Sequence, residues 1–309
     1  MEAVIQIEGL TKVIQPHFWS KKQAVLKGLD LEVHPGEIFG FLGPNGAGKT
    51  TTIKSLMGII GPTSGQIRIL GRAPWDTKVK QQVGYLPETP YFYDYLTGRE
   101  FLTFCGDLFE GGKAGLKEKI GRLLALVRME EAADRQLRKY SKGMLQRIGL
   151  AQALINDPRL VVLDEPLTGL DPMGRKEFKE IITGLKEKGT TVFFSSHILP
   201  DAETVCDRVA IINKGKVLKV GRLDQLLDAK LESVELVCRG LSAEGLHKIQ
   251  KLASGSSRNG EEHILAFPEM VSANSAVKDV LASGGQVVSL NPLKESLEEY
   301  FAREVSQDA

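Results

Sequence analysis

Apolar residues are spaced along this chain in two ways. Short unbroken runs at residues 37–42, 160–165 and 190–196 predict strands buried in a sheet. Longer stretches with apolar residues on one helical face predict helices at 51–60, 116–129, 145–156 and 178–187; in the first, Ile53, Leu56, Met57 and Ile60 share a face. Residues 3–8 alternate as a first strand, 29–33 as a second, and 66–70 and 83–86 are short strands. Residues 209–213 and 216–220 form a hairpin around Lys214-Gly215. Thr97 and Glu100 have capping-box spacing at the head of a helix, and 110–115 is a Gly-rich connector. The block between 90 and 157 is mainly helical, set between two halves of an α/β fold.

Near Leu226 the character of the chain changes. Strands are expected at 234–237, 263–267 and 286–290, helices at 241–252, 272–282 and 293–301, and a flexible turn at 254–260. The division expected is therefore 1–225 and a small α+β domain at 226–309. The second part carries no concentration of His, Cys or paired carboxylates, so no chemistry is assigned to it.

Length and composition narrow the class without choosing a function. The 309 residues allow two domains, and 42% hydrophobic with 26% charged residues excludes a disordered or fibrous chain. A net charge of +1 supplies no bulk attraction to nucleic acid, and no such partner is expected. No apolar run approaches the roughly 20 residues of a membrane span, and the first residues do not read as a secretory signal. Cys105, Cys206 and Cys238 are widely spaced and form no C-x-x-C, so they read as buried or bystander thiols.

The chemistry begins at Gly43-Pro44-Asn45-Gly46-Ala47-Gly48-Lys49-Thr50, which fits the phosphate-binding loop G-x-x-x-x-G-K-[ST]. A buried strand precedes it and a helix starting near Thr51 follows. A glycine turn with a chance lysine would need neither. Its N–H groups and the positive end of the helix suit phosphate oxygens. Lys49 suits the β- and γ-phosphates, and the Thr50 hydroxyl suits Mg²⁺. Asp164 and Glu165 end an apolar strand, where ligands of parallel sheets bind. Asp164 would hold Mg²⁺ through water and Glu165 would polarise an attacking water. His197 ends a neighbouring strand, placed to contact a γ-phosphate. The aromatics Phe18 and Trp19 read equally as a base-stacking pair or as caps on a sheet edge.

These motifs, in this order, resemble the nucleotide-binding subunit of an ABC transporter. The phosphate loop is followed by a serine-glycine signature at 140–144, the hydrophobic-Asp-Glu strand, Gly169-Leu170-Asp171 and the switch histidine His197. The resemblance covers residues 3 to about 220 and implies an α/β fold with a RecA-like P-loop core. It also implies a helical signature subdomain, an antiparallel β-subdomain, and ATP with Mg²⁺ as cofactors. Glu165 becomes the catalytic base and Asp164 the Mg²⁺-linked acid. Asp171 falls at a dimer contact, and Trp19, with Phe18 second, stands where the family stacks adenine. Ser141 and Gly143 would face the γ-phosphate held by a partner in a head-to-tail homodimer, or by a paired ATPase subunit.

Two positions depart from the family. Tyr140-Ser141-Lys142-Gly143-Met144 replaces Leu-Ser-Gly-Gly-Gln but keeps the serine and second glycine. Glu88 stands where most members have a glutamine that senses Mg²⁺, and a carboxylate there still reaches the metal. Both departures, and the tail at 292–301, resemble exporters whose ATPase and permease are separate chains. The expectation is an ATPase that drives export through a transmembrane permease, peripheral on the cytoplasmic face of the cell membrane. The alternative is a soluble ABC-type ATPase acting on the ribosome or DNA. One phosphate loop and no long heptad coils argue against it. A GTPase would need an Asn-Lys-x-Asp, which Asn213-Lys214-Gly215-Lys216 does not supply.

Overall fold

A computed structural model describes residues 2–15, 19, 21–109, 115–227, 231–294 and 296–307. The chain divides into two compact units. One runs Met1–Leu223 and takes in the chain end from Glu304; the other is Asp224–Arg303.

In the first unit, β1 (Ile5–Ile14), β2 (Gln23–Val33) and β4 (Ser64–Ile69) form an antiparallel sheet in the order β2-β1-β4. Both opening strands outrun their apolar stretches because polar residues such as Lys12 and Gln23 continue the ladder. The second sheet contains β3 (Ile38–Leu42), β5 (Val83–Leu86), β6 (Leu160–Asp164), β7 (Thr191–Ser196), β8 (Arg208–Asn213) and β9 (Lys216–Arg222). Its order is β5-β6-β7-β3-β8-β9, parallel except for the β8–β9 hairpin. Every residue of β3, β6 and β7 is buried, as expected for strands covered on both faces. Phe39, Phe41 and Phe193 stack within this core.

Helices α1 (Lys49–Leu56), α2 (Thr77–Lys80), α6 (Pro172–Glu187) and α7 (Leu199–Glu203) belong to the α/β part. Helices α3 (Gly98–Asp107), α4 (Leu116–Leu126) and α5 (Lys142–Ala153) make the helical block. Thr97 and Glu100 form the expected capping box at α3: the Thr97 hydroxyl accepts from Glu100 N–H, and Glu100 accepts from Thr97 N–H at 2.8 Å. Residues 110–114 of the expected connector lie outside the described residues. The RecA-like α/β fold is thus present with its antiparallel sheet and helical block.

The second unit holds α8 (Leu223–Leu227) from its second residue on, β10 (Leu231–Arg239), α9 (Ala243–Gln250), β11 (Gly255–Asn259), β12 (Glu262–Phe267), α10 (Met270–Ala282), β13 (Gln286–Lys294) and α11 (Leu297–Gln307), whose end belongs to the first unit. From β10 to β13 the sequence is β-α-β-β-α-β with sheet order β11-β12-β10-β13, a ferredoxin-like topology. Val234, Leu236, Leu265 and Phe267 pack under Ile249, Ala273, Ala276 and Val280. The segment expected as a turn at 254–260 is instead β11. All its residues are exposed, so this edge strand shows no apolar alternation. The last helix also starts later than expected. Leu293 pairs with Ser233 in β13, and Ser296 with Glu299 sets the helix start by a capping box.

The three cysteines are free and buried. Burial pushes the Cys105 thiol up to about 12 and raises Cys206 and Cys238, which leaves them inert.

Candidate active site

The loop between β3 and α1 is built to meet an anion. Gly43 N–H donates to Ser196 O at 3.2 Å, tying the loop to the end of β7. A Cβ on Gly43 would fall 2.4 Å from Ile212 O, so no larger residue fits. Gly48 caps α1 at φ +111°, a conformation L side chains rarely adopt. The helix has no side-chain cap and no acid in its first turn. Its first N–H groups therefore keep both their hydrogen-bonding capacity and the positive end of the helix dipole. Lys49 is buried and turned back on the loop: Nζ donates to Gly43 O at 2.6 Å and Pro44 O at 3.2 Å. Ala47 lies behind, its carbonyl accepting from Gly215 N–H at 2.9 Å.

The carboxylates arrive from β6. Asp164 is 1% exposed, and burial raises its pKa. Hydrogen bonds from Ser195 and Thr50 offset that shift, and the charges of Glu88 and Glu165 add to it. Ser195 Oγ donates to Asp164 Oδ1 at 2.7 Å and accepts from Glu165 N–H at 3.0 Å, fixing both acids from the neighbouring strand. Glu165 has φ +49°, a strained backbone for a non-glycine residue and one that clusters at functional sites. Its Oε2 lies 2.8 Å from His197 Nδ1 and accepts from the Thr168 hydroxyl at 3.4 Å. Its Oε1 pairs with Lys49 Nζ at 3.1 Å but is buried without an aligned hydrogen bond among the described residues. The short distance marks attraction between charges, and the poor alignment leaves a lone pair of Oε1 available.

Lys49, Glu165 and His197 line one cleft of about 550 Å³, together with Val25, Asn45, Gly46, Gly48, Thr50, Thr51, Glu88 and Thr168; Gly43, Pro44, Ala47 and buried Asp164 are not in its lining. That volume suits a nucleotide-sized ligand. Hard oxygen donors, Thr50 and buried Asp164, meet where a carboxylate has lost water, which fits Mg²⁺. The described residues contain no cluster of three His, Cys, Asp or Glu able to hold a metal unaided. Mg²⁺ needs none, since it usually takes one or two carboxylates and completes its shell with water and phosphate.

Not every expected residue reaches this cleft. Trp19 is 85% exposed and does not line it; Phe18 lies outside the described residues. Ser141 and Gly143 are also apart from the lining. Ser141 caps α5, its hydroxyl accepting from Met144 N–H at 3.3 Å, and it is exposed. Asp171 caps α6 in the same manner.

Residues 26–168 match the ABC transporter family. An uncharacterised ABC transporter ATP-binding protein of Synechocystis is 44% identical, over 98% of this chain and 85% of its own. The chain belongs to the ABC transporter ATP-binding family. The Nod factor export ATP-binding protein I of Cupriavidus metallidurans is 36% identical over 75% of each chain. A solved ATP-binding subunit of an ABC transporter is 32% identical, with a TM-score of 0.64 over 72% of this chain and 91% of that one. As a family member, the chain is a transporter's ATP-binding subunit and an ATPase.

Within this ABC ATPase, the departures from the common signature have local causes. Tyr140 is buried, and its hydroxyl donates to Ala132 O at 2.6 Å, so the phenol braces the helical block. Lys142 lies along Gly169, where an added Cβ would sit 2.5 Å from its Nζ. Residues not singled out in the sequence also serve the site: Ser195 fixes both acids, Thr168 contacts Glu165, and Val25 lines the cleft. Ser195 had a readable signal, a hydroxyl at the end of an otherwise apolar buried strand.

Proposed function

We propose that this chain powers export through a separate transmembrane permease, working as a head-to-tail pair with a second copy on the inner, cytoplasmic face of the cell membrane. The observation that carries this reading is the convergence of Lys49, Thr50, Glu165 and His197 on one cleft beside an uncapped helix N-terminus, with buried Asp164 hydrogen-bonded to Thr50 and Ser195. Phosphate oxygens of ATP compete with Glu165 for Lys49, and the loop N–H groups take the remaining charge. Thr50 and Asp164 would hold Mg²⁺, with Glu88 beside them; the ion would supply neutralisation of charge on the phosphates. Released from Lys49, Glu165 Oε1 accepts a proton from the attacking water. His197 holds Oε2 and meets the γ-phosphate. Ser141, exposed on a helix N-terminus, is free to close on a partner's nucleotide.

Export is supported by the Nod factor relative's name. Docking of a partner is supported by a cluster of exposed aromatics next to the Glu88 loop. Tyr91 is 93% exposed, and Tyr93 packs edge-on against Phe104 at 5.4 Å. No helix of the described residues is long and apolar enough to cross a membrane, so a permease would supply the attachment.

Lys49→Ala should abolish hydrolysis and weaken ATP binding, because it removes the point charge on the phosphates. Steady-state phosphate release and a nucleotide titration measure both. Wild-type turnover in this variant would sink the assignment.

A further inference from the structure

Away from the cleft, three elements are tied together at one carboxylate. Glu177, on α6, pairs through Oε1 with Arg128 Nη1 and through Oε2 with Arg147 Nη2. Arg128 also reaches Glu180 Oε2 at 3.4 Å, and Arg147 Nη1 donates to Val127 O at 3.2 Å. Arg147 belongs to α5, the helix capped by Ser141; Arg128 follows α4; α6 begins at Asp171. The Glu177 carboxyl is held below its usual range, first by its hydrogen bond from Arg147 and then by the charges of both arginines.

A second observation concerns the backbone. Arg128 has φ +56°. Its N–H donates to Ala125 O at 3.0 Å, and the next N–H, of Met129, donates to Leu124 O at 2.8 Å. This is a Schellman ending of α4, with arginine where glycine is the usual residue. The left-handed conformation is unfavourable for a non-glycine side chain. An arginine kept there against that cost points to a use for its guanidinium, and the contacts it makes are with Glu177 and Glu180.

We propose that Arg128 and Arg147, converging on Glu177, form a tie that sets the Ser141 end of α5 relative to α6, making these three positioning residues for ATP hydrolysis. The proposal rests on the reading that Ser141 completes a partner's site. A loosened tie leaves the Lys49 cleft intact but misplaces the signature, so the loss falls on turnover and not on nucleotide affinity. A misplacement of about 1 Å costs up to about a hundred-fold in rate.

Arg128→Gly in the full chain separates this from a structural role, since glycine suits the backbone better than arginine does. The variant should unfold at or above the wild-type temperature and bind ATP with unchanged Kd. Its kcat should fall roughly ten-fold or more. Arg128→Lys, which keeps one cation, should recover part of the loss. Glu177→Gln should reproduce the defect, and the double variant with Arg128→Gly should be less than additive. Wild-type kcat in Arg128→Gly overturns the tie. Ser141→Ala is the control: if it slows turnover while Arg128→Gly does not, only the tie is wrong. If Ser141→Ala is also without effect, the two-copy reading falls with it.

Discussion

At the scale of single residues, Asp164 sets stability against chemistry. Burial raises its pKa, so folding favours the protonated carboxyl. That stabilisation is fully present below the ordinary carboxylate pKa and is lost as pH rises through the higher folded-state pKa. As pH rises the charged form of this buried group therefore weighs against the fold unless a cation neutralises it. Asp164→Asn keeps the acceptor for Ser195 and removes the charge. Without nucleotide it should melt above wild type at neutral pH, by about 2–4 °C for each kcal/mol relieved, and the difference should shrink as pH falls. Calorimetry at several pH values checks this. A variant that melts below wild type at neutral pH would contradict the reading of Asp164 as a strained metal ligand. Lys49 and Glu165 show the same economy, each neutralising the other at 3.1 Å in a pocket where either alone would be costly.

At the scale of elements, the site stands on strand ends and the loops after them. Glu88 sits between Pro87 and Pro90, after β5, and lines the cleft beside Asp164. Its charge acts on Asp164, raising that group's pKa. Glu88→Gln should retain hydrolysis while shifting the Mg²⁺ dependence, read from turnover across a Mg²⁺ titration. A loss as large as that in Glu165→Gln would make Glu88 a catalytic group. The strands carrying these loops were legible because each is buried on both faces and leaves an unbroken apolar run. β11 was not legible, because an exposed edge strand such as Gly255–Asn259 writes no hydrophobic period. The phosphate loop, both acids and His197 could be read from motif and position. Thr168 and the ties at Glu177 could not, since they depend on which strands and helices become neighbours; Ser195 left a hydroxyl in a buried strand, but its bonds to both acids depend on that pairing too.

At the scale of the whole molecule, one copy brings the phosphate loop, both acids and His197 together but leaves Ser141 and Gly143 outside the cleft. Ser141 stands exposed at the head of α5, and its helix is held by Arg147 to Glu177 and by buried Gln146, whose amide donates to Pro166 O at 3.1 Å. A second copy, turned head to tail, would bring that surface onto ATP held by the first. The direct test is size-exclusion chromatography of Glu165→Gln with and without Mg-ATP, alongside its rate of phosphate release. The substitution keeps the side-chain shape and removes the base, so hydrolysis should slow by roughly two to four orders of magnitude while binding survives. Uncleaved ATP should then hold two copies together, and the variant should elute as a dimer only when Mg-ATP is present. Normal hydrolysis would contradict the role of Glu165. An inactive variant that binds ATP yet stays monomeric at high protein concentration would contradict the shared site.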